Sequence, residues 1–161
     1  MDFRIVPDWD EYFMRMAELS KTKSKDRSTQ VGAVVVGEGN VVLSIGYNGF
    51  PRGTNDDVEC RHERPLKYGW TEHAERNSIF SAARVGTKLL GSRIYVTGGG
   101  FPCSDCSRAI VQSGISEVVV MEGKFCGAGP WEESCKIGGE IMTESGVKIT
   151  ILNSKYERIN H

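Results

Sequence analysis

The sequence lacks long apolar stretches and runs of like charge. No apolar segment approaches the roughly 20 residues that a membrane-spanning helix needs, and residues 1–13 have neither the basic start nor the apolar core of a secretory signal peptide. We therefore expect a cytoplasmic protein that does not bind membranes. Lysine and arginine number 20 against 21 aspartates and glutamates, so no electrostatic footprint for nucleic acid is visible and a small substrate is favoured.

Cysteine is also scarce. The chain has five cysteines in 161 residues, and an odd number fits a disulfide framework poorly. In the cytoplasm their thiols would stay reduced, which leaves metal ligands or core side chains as their roles. A chain of this length can bury one sizeable core without disulfides, so we expect a single domain over residues 1–161.

The apolar pattern predicts a helix followed by a hairpin. Asp8 can cap the helix, and its apolar side chains recur every three to four residues, which predicts a stripe facing the core. These side chains are Trp9, Tyr12, Phe13, Met16 and Leu19. Two β-branched runs at 31–36 and 41–45 flank a Gly-Glu-Gly-Asn turn, which is typical of two antiparallel strands.

Further helices and strands alternate along the rest of the chain. Helices are predicted at 73–85, 104–113 and about 131–145, and strands at 93–97, 117–121 and 147–152. The order α-β-β-α-β-α-β-α-β indicates a layered α/β domain. Residues 47–70 are rich in glycine, proline, asparagine and charge, and a loop that long in a compact domain is typically functional. We expect it to lie on the substrate side.

Two short motifs supply the residues of a metal site. His73 and Glu75 begin one predicted helix, and Pro102, Cys103 and Cys106 begin another. One imidazole and two thiolates match a catalytic zinc site, which keeps one position for water. Cysteines three apart in a first helical turn can face one point, where the helix dipole favours thiolate. Glu75 is then placed to take a proton from a zinc-activated water and pass it to the substrate.

Each motif alone is weak, because a lone Cys-x-x-C motif is more often structural zinc or a redox pair. Together they match the His-x-Glu and Pro-Cys-x-x-Cys signature of zinc deaminases. The alternative is a closed structural zinc site, which needs a fourth ligand such as Cys60, His62, Cys126 or Cys135. A second zinc on Cys60 and His62 is less favoured than unliganded side chains.

The motifs in their order resemble those of the cytidine deaminase superfamily, and more narrowly those of the deoxycytidylate deaminases. The resemblance covers roughly residues 8–152. It implies a three-layer fold with a central five-stranded mixed sheet flanked by helices. The similar motifs are Ser24-Lys25-Asp26, Gln30-Val31-Gly32-Ala33, Gly46-Tyr47-Asn48-Gly49-Phe50-Pro51, His73-Ala74-Glu75-Arg76-Asn77 and Phe101-Pro102-Cys103-Ser104-Asp105-Cys106.

By this resemblance, the activity is hydrolytic deamination of dCMP to dUMP and ammonia, which would supply dUMP for thymidine nucleotide synthesis. Asn48 would hydrogen-bond the sugar, Lys25 and Arg27 are candidates for the phosphate, and Ala74 and Pro102 would contact the substrate. Lys25 and Arg27 are equally typical of a solvated turn.

The resemblance also implies regulation and assembly. Members of the family are often homohexamers that dCTP activates and dTTP inhibits, and a Mg²⁺ ion would accompany a triphosphate effector. Arg52, Asn55 and Asp56 are the corresponding effector-site candidates.

Two segments depart from the family pattern. Residues 97–100, Thr-Gly-Gly-Gly, are about two residues longer than expected, and their backbone could approach the base closely or form a flexible bulge. Residues 124–131 do not match the expected ending. The open alternatives are another cytosine nucleotide as substrate (dCTP or 5-modified dCMP), a polynucleotide substrate, and a non-catalytic zinc-structured binding module.

Overall fold

The computed structural model describes residues 4–98, 100–123, 129 and 131–159. Within them the strands are β1 (Gly32–Val36), β2 (Val42–Tyr47), β3 (Arg93–Thr97), β4 (Glu117–Met121) and β5 (Lys148–Leu152). The α-helices are α1 (Trp9–Lys21), α2 (Lys67–Trp70), α3 (Ala74–Val85), α4 (Ser104–Gln112) and α5 (Glu132–Glu144). The predicted elements are therefore present in the predicted order, and the short α2 is an addition inside the predicted loop.

The strands form one mixed sheet in the order β2-β1-β3-β4-β5. Strand β1 is antiparallel to both β2 and β3, whereas β3, β4 and β5 run parallel. The predicted hairpin joins β1 to β2 through a short 3₁₀ turn in which Gly39 and Asn40 have positive φ. Parallel pairing of β3, β4 and β5 requires crossover connections, and α4 and α5 supply them.

Alternating side chains on the central strands bury both faces of the sheet. Val34, Tyr95 and Val119 pack beneath α1. Their chain neighbours Val35 and Ile94 point to the opposite face, where α3, α4 and α5 lie. Since successive residues of a strand face opposite sides, this division confirms the three-layer arrangement.

The predicted apolar stripe of α1 is wrong in most of its members. Asp8 does cap the helix, since its Oδ1 accepts a hydrogen bond of 2.8 Å from the Glu11 amide. The buried side chains, however, are Phe13, Met14, Ala17 and Ser20. Trp9, Tyr12 and Leu19 are exposed by 55%, 45% and 72%. The small Ala17 faces the sheet because the helix approaches β1 closely: a Cβ on Gly32 would lie 2.0 Å from the Ala17 carbonyl oxygen.

A second close approach positions α3. A Cβ on Gly46 of β2 would lie 2.3 Å from the Ala74 carbonyl oxygen and 2.5 Å from the Ser78 amide nitrogen. The Ser44 hydroxyl donates a 2.6 Å hydrogen bond to the Ser78 carbonyl. Small residues of β2 therefore fix the position of the start of α3. They also fix the positions of His73 and Glu75, the predicted site residues at that start.

The glycine-rich segment after β3 is partly described. Gly98 has φ of 91°, and a Cβ there would lie 2.1 Å from the Gln30 carbonyl oxygen. The close backbone contact at this position is therefore with Gln30, and only glycine fits it. Gly99 lies outside the described residues, as does Cys126.

The expectation that the cysteines stay reduced is wrong for Cys135. This residue of α5 is buried and disulfide-bonded, whereas Cys60, Cys103 and Cys106 are free. In the described part of the chain, none of the helices has the length and apolarity needed to cross a bilayer.

We expect Gly46→Ala to destabilise the fold, because the added methyl group must displace the backbone of α3. Overpacking of this kind costs about 2 kcal/mol, which corresponds to a fall in Tm of about 5 °C. Gly69→Ala is the matched control, since a Cβ there meets no atom within 4 Å. Thermal unfolding followed by circular dichroism measures both. Equal Tm values for the two variants would contradict the close packing described for α3.

Candidate metal centre

The N-termini of two helices bring the predicted metal ligands together. His73 is the N-cap residue of α3, Cys103 is the N-cap residue of α4, and Cys106 lies in the first turn of α4. Because α3 and α4 pack side by side on one face of the sheet, residues 30 positions apart in the sequence meet. His73 is partly buried, and both cysteines are buried.

The three side chains have the spacing of zinc ligands. His73 Nδ1 lies 3.5 Å from Cys103 Sγ and 3.4 Å from Cys106 Sγ. In a tetrahedral site with the usual Zn–N and Zn–S lengths, a nitrogen and a sulfur ligand are about 3.5 Å apart. The three ligand atoms lie within 4.8 Å of one another, and no other group of three or more potential ligands occurs among the described residues. The trio therefore fits a zinc ion.

The alternative of a closed, four-ligand site gains no fourth ligand from the described residues. Cys60 is exposed. His62 stacks on Phe50 with ring centroids 4.8 Å apart, and its Nε2 lies 2.6 Å from the Asp56 carbonyl oxygen. Cys135 is disulfide-bonded. The same contacts of His62 give no support to a second zinc site with Cys60.

Hydrogen bonds within the trio shift its ionisation. A hydrogen bond from Cys106 lowers the pKa of Cys103 to about 4, although burial opposes the shift. The contact with Cys103 raises the pKa of His73 to about 9. The hydrogen bond between Cys106 and Cys103, together with burial, raises the pKa of the Cys106 thiol well above its usual value. Since a metal binds thiolate and neutral imidazole, zinc binding at this trio is expected to release protons.

Glu75 lies beside the trio in a different environment. It occupies the first turn of α3, and only 5% of its surface is exposed. Burial raises the pKa of its carboxyl group, and the nearby His73 offsets part of this shift. A carboxyl group whose pKa is raised towards neutrality is suited to proton transfer in both directions.

His73, Glu75 and Cys103 line a cavity of about 310 Å³. This volume is at the lower end of the range for small-molecule sites. Beyond His73, Glu75 and Cys103, the lining includes predicted site residues, charged side chains and aromatic rings. These lining residues are Asp26, Thr29, Val31, Asn48, Arg64, Lys67, Tyr68, Thr71, Ala74, Phe101 and Trp131.

Asn48 and Ala74 both line the cavity, and their contacts with a substrate stay predictions. Asn48 is buried, its Oδ1 accepts from the Val31 amide at 2.8 Å, and its Nδ2 donates to the Thr29 carbonyl at 2.8 Å. One Nδ2 hydrogen remains for a ligand. Pro102 is buried but does not line the cavity.

Lys25 and Arg27, the predicted phosphate contacts, are not among the residues that line this cavity. Lys25 Nζ pairs with Asp56 at 2.8 Å, and Arg27 Nη2 with Glu59 at 2.9 Å. The side chains of Lys25 and Arg27 are both well exposed, and they border a smaller neighbouring cavity of about 100 Å³.

Of the three effector-site candidates, Asp56 is the one that lines this neighbouring cavity, together with Lys25. Arg52 donates to the Ser81 hydroxyl at 3.0 Å, and the Asn55 side chain accepts from the Asp57 amide at 2.9 Å. The structure does not bring these three candidates together around one cavity.

The cations that do line the main cavity come from the long loop and α2. Lys67 is 7% exposed, and its Nζ donates to both Asp26 carboxylate oxygens, at 3.0 and 2.8 Å, and to Ser28 Oγ at 2.6 Å. Arg64 lies three residues before it. The composition of residues 47–70 predicts a substrate-side loop but does not single out these two cations, because the packing of Lys67 onto Asp26 has no short-range signal in the sequence.

Aromatic rings border the metal end of the cavity. Trp131 contacts His73 edge to face, with centroids 5.3 Å apart, and Tyr68 contacts Trp131 at 5.6 Å. The sequence pattern predicts Trp131 only as a helix start. The contact brings α5, through its N-cap residue, to the predicted zinc ligand.

Comparisons with known proteins agree with this geometry. Residues 7–122 match the family model described as the cytidine and deoxycytidylate deaminase zinc-binding region. The chain is 41% identical over 157 residues to the deoxycytidylate deaminase of Mus musculus, covering 94% of this chain and 84% of that protein. It is 39% identical over 148 residues to an uncharacterised deaminase of Aliivibrio fischeri, covering 92% and 96%.

A solved structure is also similar. The crystal structure of dCMP deaminase from the cyanophage S-TIM5, in complex with dCMP and dUMP, matches with a TM-score of 0.72 and 26% identity. The match covers 92% of this chain and 100% of that chain.

We expect the purified protein to bind one zinc ion per chain, and Cys106→Ala to lose it, because two remaining ligands hold zinc poorly. Cys60→Ala is the matched control, since Cys60 is exposed and lies outside the trio. Elemental analysis by mass spectrometry after extensive dialysis measures the zinc content. Full zinc occupancy in Cys106→Ala would rule out the proposed ligand set.

The ionisation of Asp26 is expected to make the free energy of unfolding depend on pH. Burial tends to raise the pKa of Asp26, but hydrogen bonds from Lys67 and from the Ser28 and Thr29 amides outweigh it and lower the pKa to about 2. The folded-state value is below the unfolded one, so the stabilisation is present above about pH 4 and is lost as the pH falls towards 2.

We therefore expect Asp26→Asn to lower the free energy of unfolding at pH 7 by roughly 2 to 3 kcal/mol, because buried Lys67 loses its partner. The difference from wild type should shrink between pH 4 and pH 2. Asp56→Asn, which breaks the exposed pair with Lys25, should have little effect at either pH. Urea unfolding across this range measures all three proteins, and a difference independent of pH would contradict the assignment.

Proposed function

The chain belongs to the cytidine and deoxycytidylate deaminase family, and we propose that it converts dCMP and water to dUMP and ammonia. The observation that carries the proposal is the joint placement of His73, Cys103 and Glu75, with the Cys106 thiol beside them, at one end of a nucleotide-sized cavity. The similarity to deoxycytidylate deaminase of Mus musculus and to the cyanophage enzyme, whose structure contains dCMP and dUMP, supports dCMP as the substrate.

His73, Cys103 and Cys106 would hold the zinc ion, as their donor atoms and spacing fit. When bound, zinc supplies Lewis-acid activation of a water molecule near the cavity. Three protein ligands leave a coordination position for that chemistry, which a closed structural site would not.

Glu75 moves the protons. Its carboxylate accepts a proton from the attacking water and delivers it to the ring nitrogen next to C4, and a second transfer protonates the departing amino group. Burial raises the pKa of the Glu75 carboxyl group, and this makes Glu75 better able both to accept a proton and to return it. Oxygen replaces nitrogen at C4, and the leaving group departs as ammonia.

Asn48 and the aromatic residues orient the substrate. One Nδ2 hydrogen of Asn48 remains free to bind a sugar hydroxyl, and the backbone bonds to Val31 and Thr29 fix the amide in place. Trp131 and Phe101 line the cavity near the metal ligands and would exclude bulk water from the reacting base. Ala74 contributes its surface in the same wall.

Wider features of the family remain part of the proposal. These are homohexamer formation, activation by dCTP and inhibition by dTTP with Mg²⁺, a cytoplasmic location and supply of dUMP for thymidine nucleotides. The small cavity that contains Lys23, Lys25 and Asp56 supports an effector site there. Arg52 and Asn55 stay candidates, although they do not line it.

We expect Glu75→Gln to retain zinc and to lower kcat for dCMP by about 10³-fold or more, because general acid–base transfer contributes at this scale. Glu63→Gln makes the same chemical change at an exposed residue and should leave kcat unchanged. The loss of ultraviolet absorbance as cytosine becomes uracil measures the rate. Wild-type turnover by zinc-loaded Glu75→Gln would refute the proton-transfer role.

A further inference from the structure

Arg64 is distinguished by having no acidic partner among the described residues. Among the described residues that line the main cavity, the lysine and arginine side chains are Lys67 and Arg64. Lys67 is neutralised by Asp26 at 2.8 Å. Arg64 makes no ion pair within the described ranges, and so its charge is available to an anionic ligand.

Neighbouring side chains hold the Arg64 guanidinium at the cavity. Its Nη2 lies 3.4 Å from Ser28 Oγ, and its Cζ lies 6.0 Å from the centroid of the Tyr68 ring. Tyr68 also lines the cavity. Arg64 itself is exposed, which places the guanidinium at the mouth, where a charged group of the ligand can remain partly hydrated.

The position relative to Asn48 fits the order of groups in a nucleotide. Ser28 contacts Arg64, and the next residue, Thr29, accepts the hydrogen bond from Asn48 Nδ2. Gly49, which follows Asn48, exchanges backbone hydrogen bonds of 3.0 and 2.8 Å with Glu72, which precedes His73. The wall therefore runs from His73 and Glu75, through Asn48 and Thr29, to Arg64. A base, a sugar and a 5′-phosphate follow one another in the same order.

The other charges nearby do not compete for this role. Asp26 would repel a phosphate, but Lys67 donates to both of its oxygens and neutralises it. Lys25 and Arg27 are held by Asp56 and Glu59 and do not line the cavity. Arg64 is thus the cation with both access and an unused charge.

We propose that Arg64 binds the 5′-phosphate of the substrate, and that this contact selects a nucleotide over the corresponding nucleoside. This inference rests on the proposed function and assigns the phosphate end of the same site. A guanidinium can donate two parallel hydrogen bonds to a phosphate. The hydroxyl of Thr29, which lines the cavity and has no hydrogen bond in the described part of the chain, is placed to add a third.

The test compares kcat/KM for dCMP and for deoxycytidine in the zinc-loaded enzyme. We expect Arg64→Ala to lower the value for dCMP about 10- to 100-fold, the scale of a charged hydrogen bond, and to leave the value for deoxycytidine within about twofold. Arg64→Lys should give an intermediate loss, since lysine keeps the charge but not the bidentate geometry.

Arg61→Ala is the matched control. Arg61 is in the same loop, but it packs over Trp70 and donates to the Asn55 carbonyl, and it does not line the cavity. Its removal should leave the ratio of the two kcat/KM values unchanged, even if the loop is perturbed. Lys25→Ala and Arg27→Ala should also keep the ratio.

Binding of dUMP and of deoxyuridine, measured by isothermal titration calorimetry, gives a readout independent of turnover. Arg64→Ala should weaken dUMP binding and leave deoxyuridine binding unchanged. An unchanged dCMP to deoxycytidine ratio in Arg64→Ala, or its collapse in Lys25→Ala, would overturn the inference. A zinc-loaded wild type that deaminates neither dCMP nor deoxycytidine would overturn the proposed function instead. In that case the calorimetry still tests Arg64, because equal affinity of wild type and Arg64→Ala for dUMP would overturn its role.

Discussion

The meeting of two helix N-termini on one face of the sheet is the constraint on which the rest of the site depends. His73 begins α3 and Cys103 begins α4, and their side chains come within 3.5 Å only because both helices approach their neighbours very closely. Gly46 allows the approach of α3 to β2. Gly138 of α5 does the same for α4, since a Cβ there would lie 2.6 Å from the Pro102 carbonyl oxygen. Backbone contacts of this kind fix positions better than side chains that can change rotamer.

Two carboxyl groups in one cavity then acquire opposite properties. Burial beside the metal ligands raises the pKa of Glu75, which suits proton transfer. At the other end, Lys67 and two backbone amides lower the pKa of Asp26 to about 2 despite its burial, and this makes it a permanent structural anion. The difference arises from partners and not from residue type. It separates a reactive end of the cavity from a charged, structurally fixed end near Arg64.

Much of the fold could be predicted from the sequence, and particular residues show where prediction ended. The β-branched runs and the glycine-containing turn located β1 and β2, because strand and turn preferences are local. Helical periodicity located α1 but chose the wrong face. Trp9, Phe13 and Ala17 follow one another at four-residue spacing, yet Trp9 is exposed whereas Phe13 and Ala17 are buried, and Ala17 approaches Gly32 closely. That approach is a property of the assembled layers.

The sequence by itself determined the candidate metal ligands and the candidate acid–base residue, because His-x-Glu and Pro-Cys-x-x-Cys encode their chemistry at short spacing and each lies at a helix start. Only the tertiary structure decided which cations face the cavity. Lys25 and Arg27 lie in the expected segment but turn to Asp56 and Glu59, whereas Arg64, distant in sequence, reaches the cavity. The orientation of a long charged side chain depends on partners that folding brings near, and no local pattern contains them.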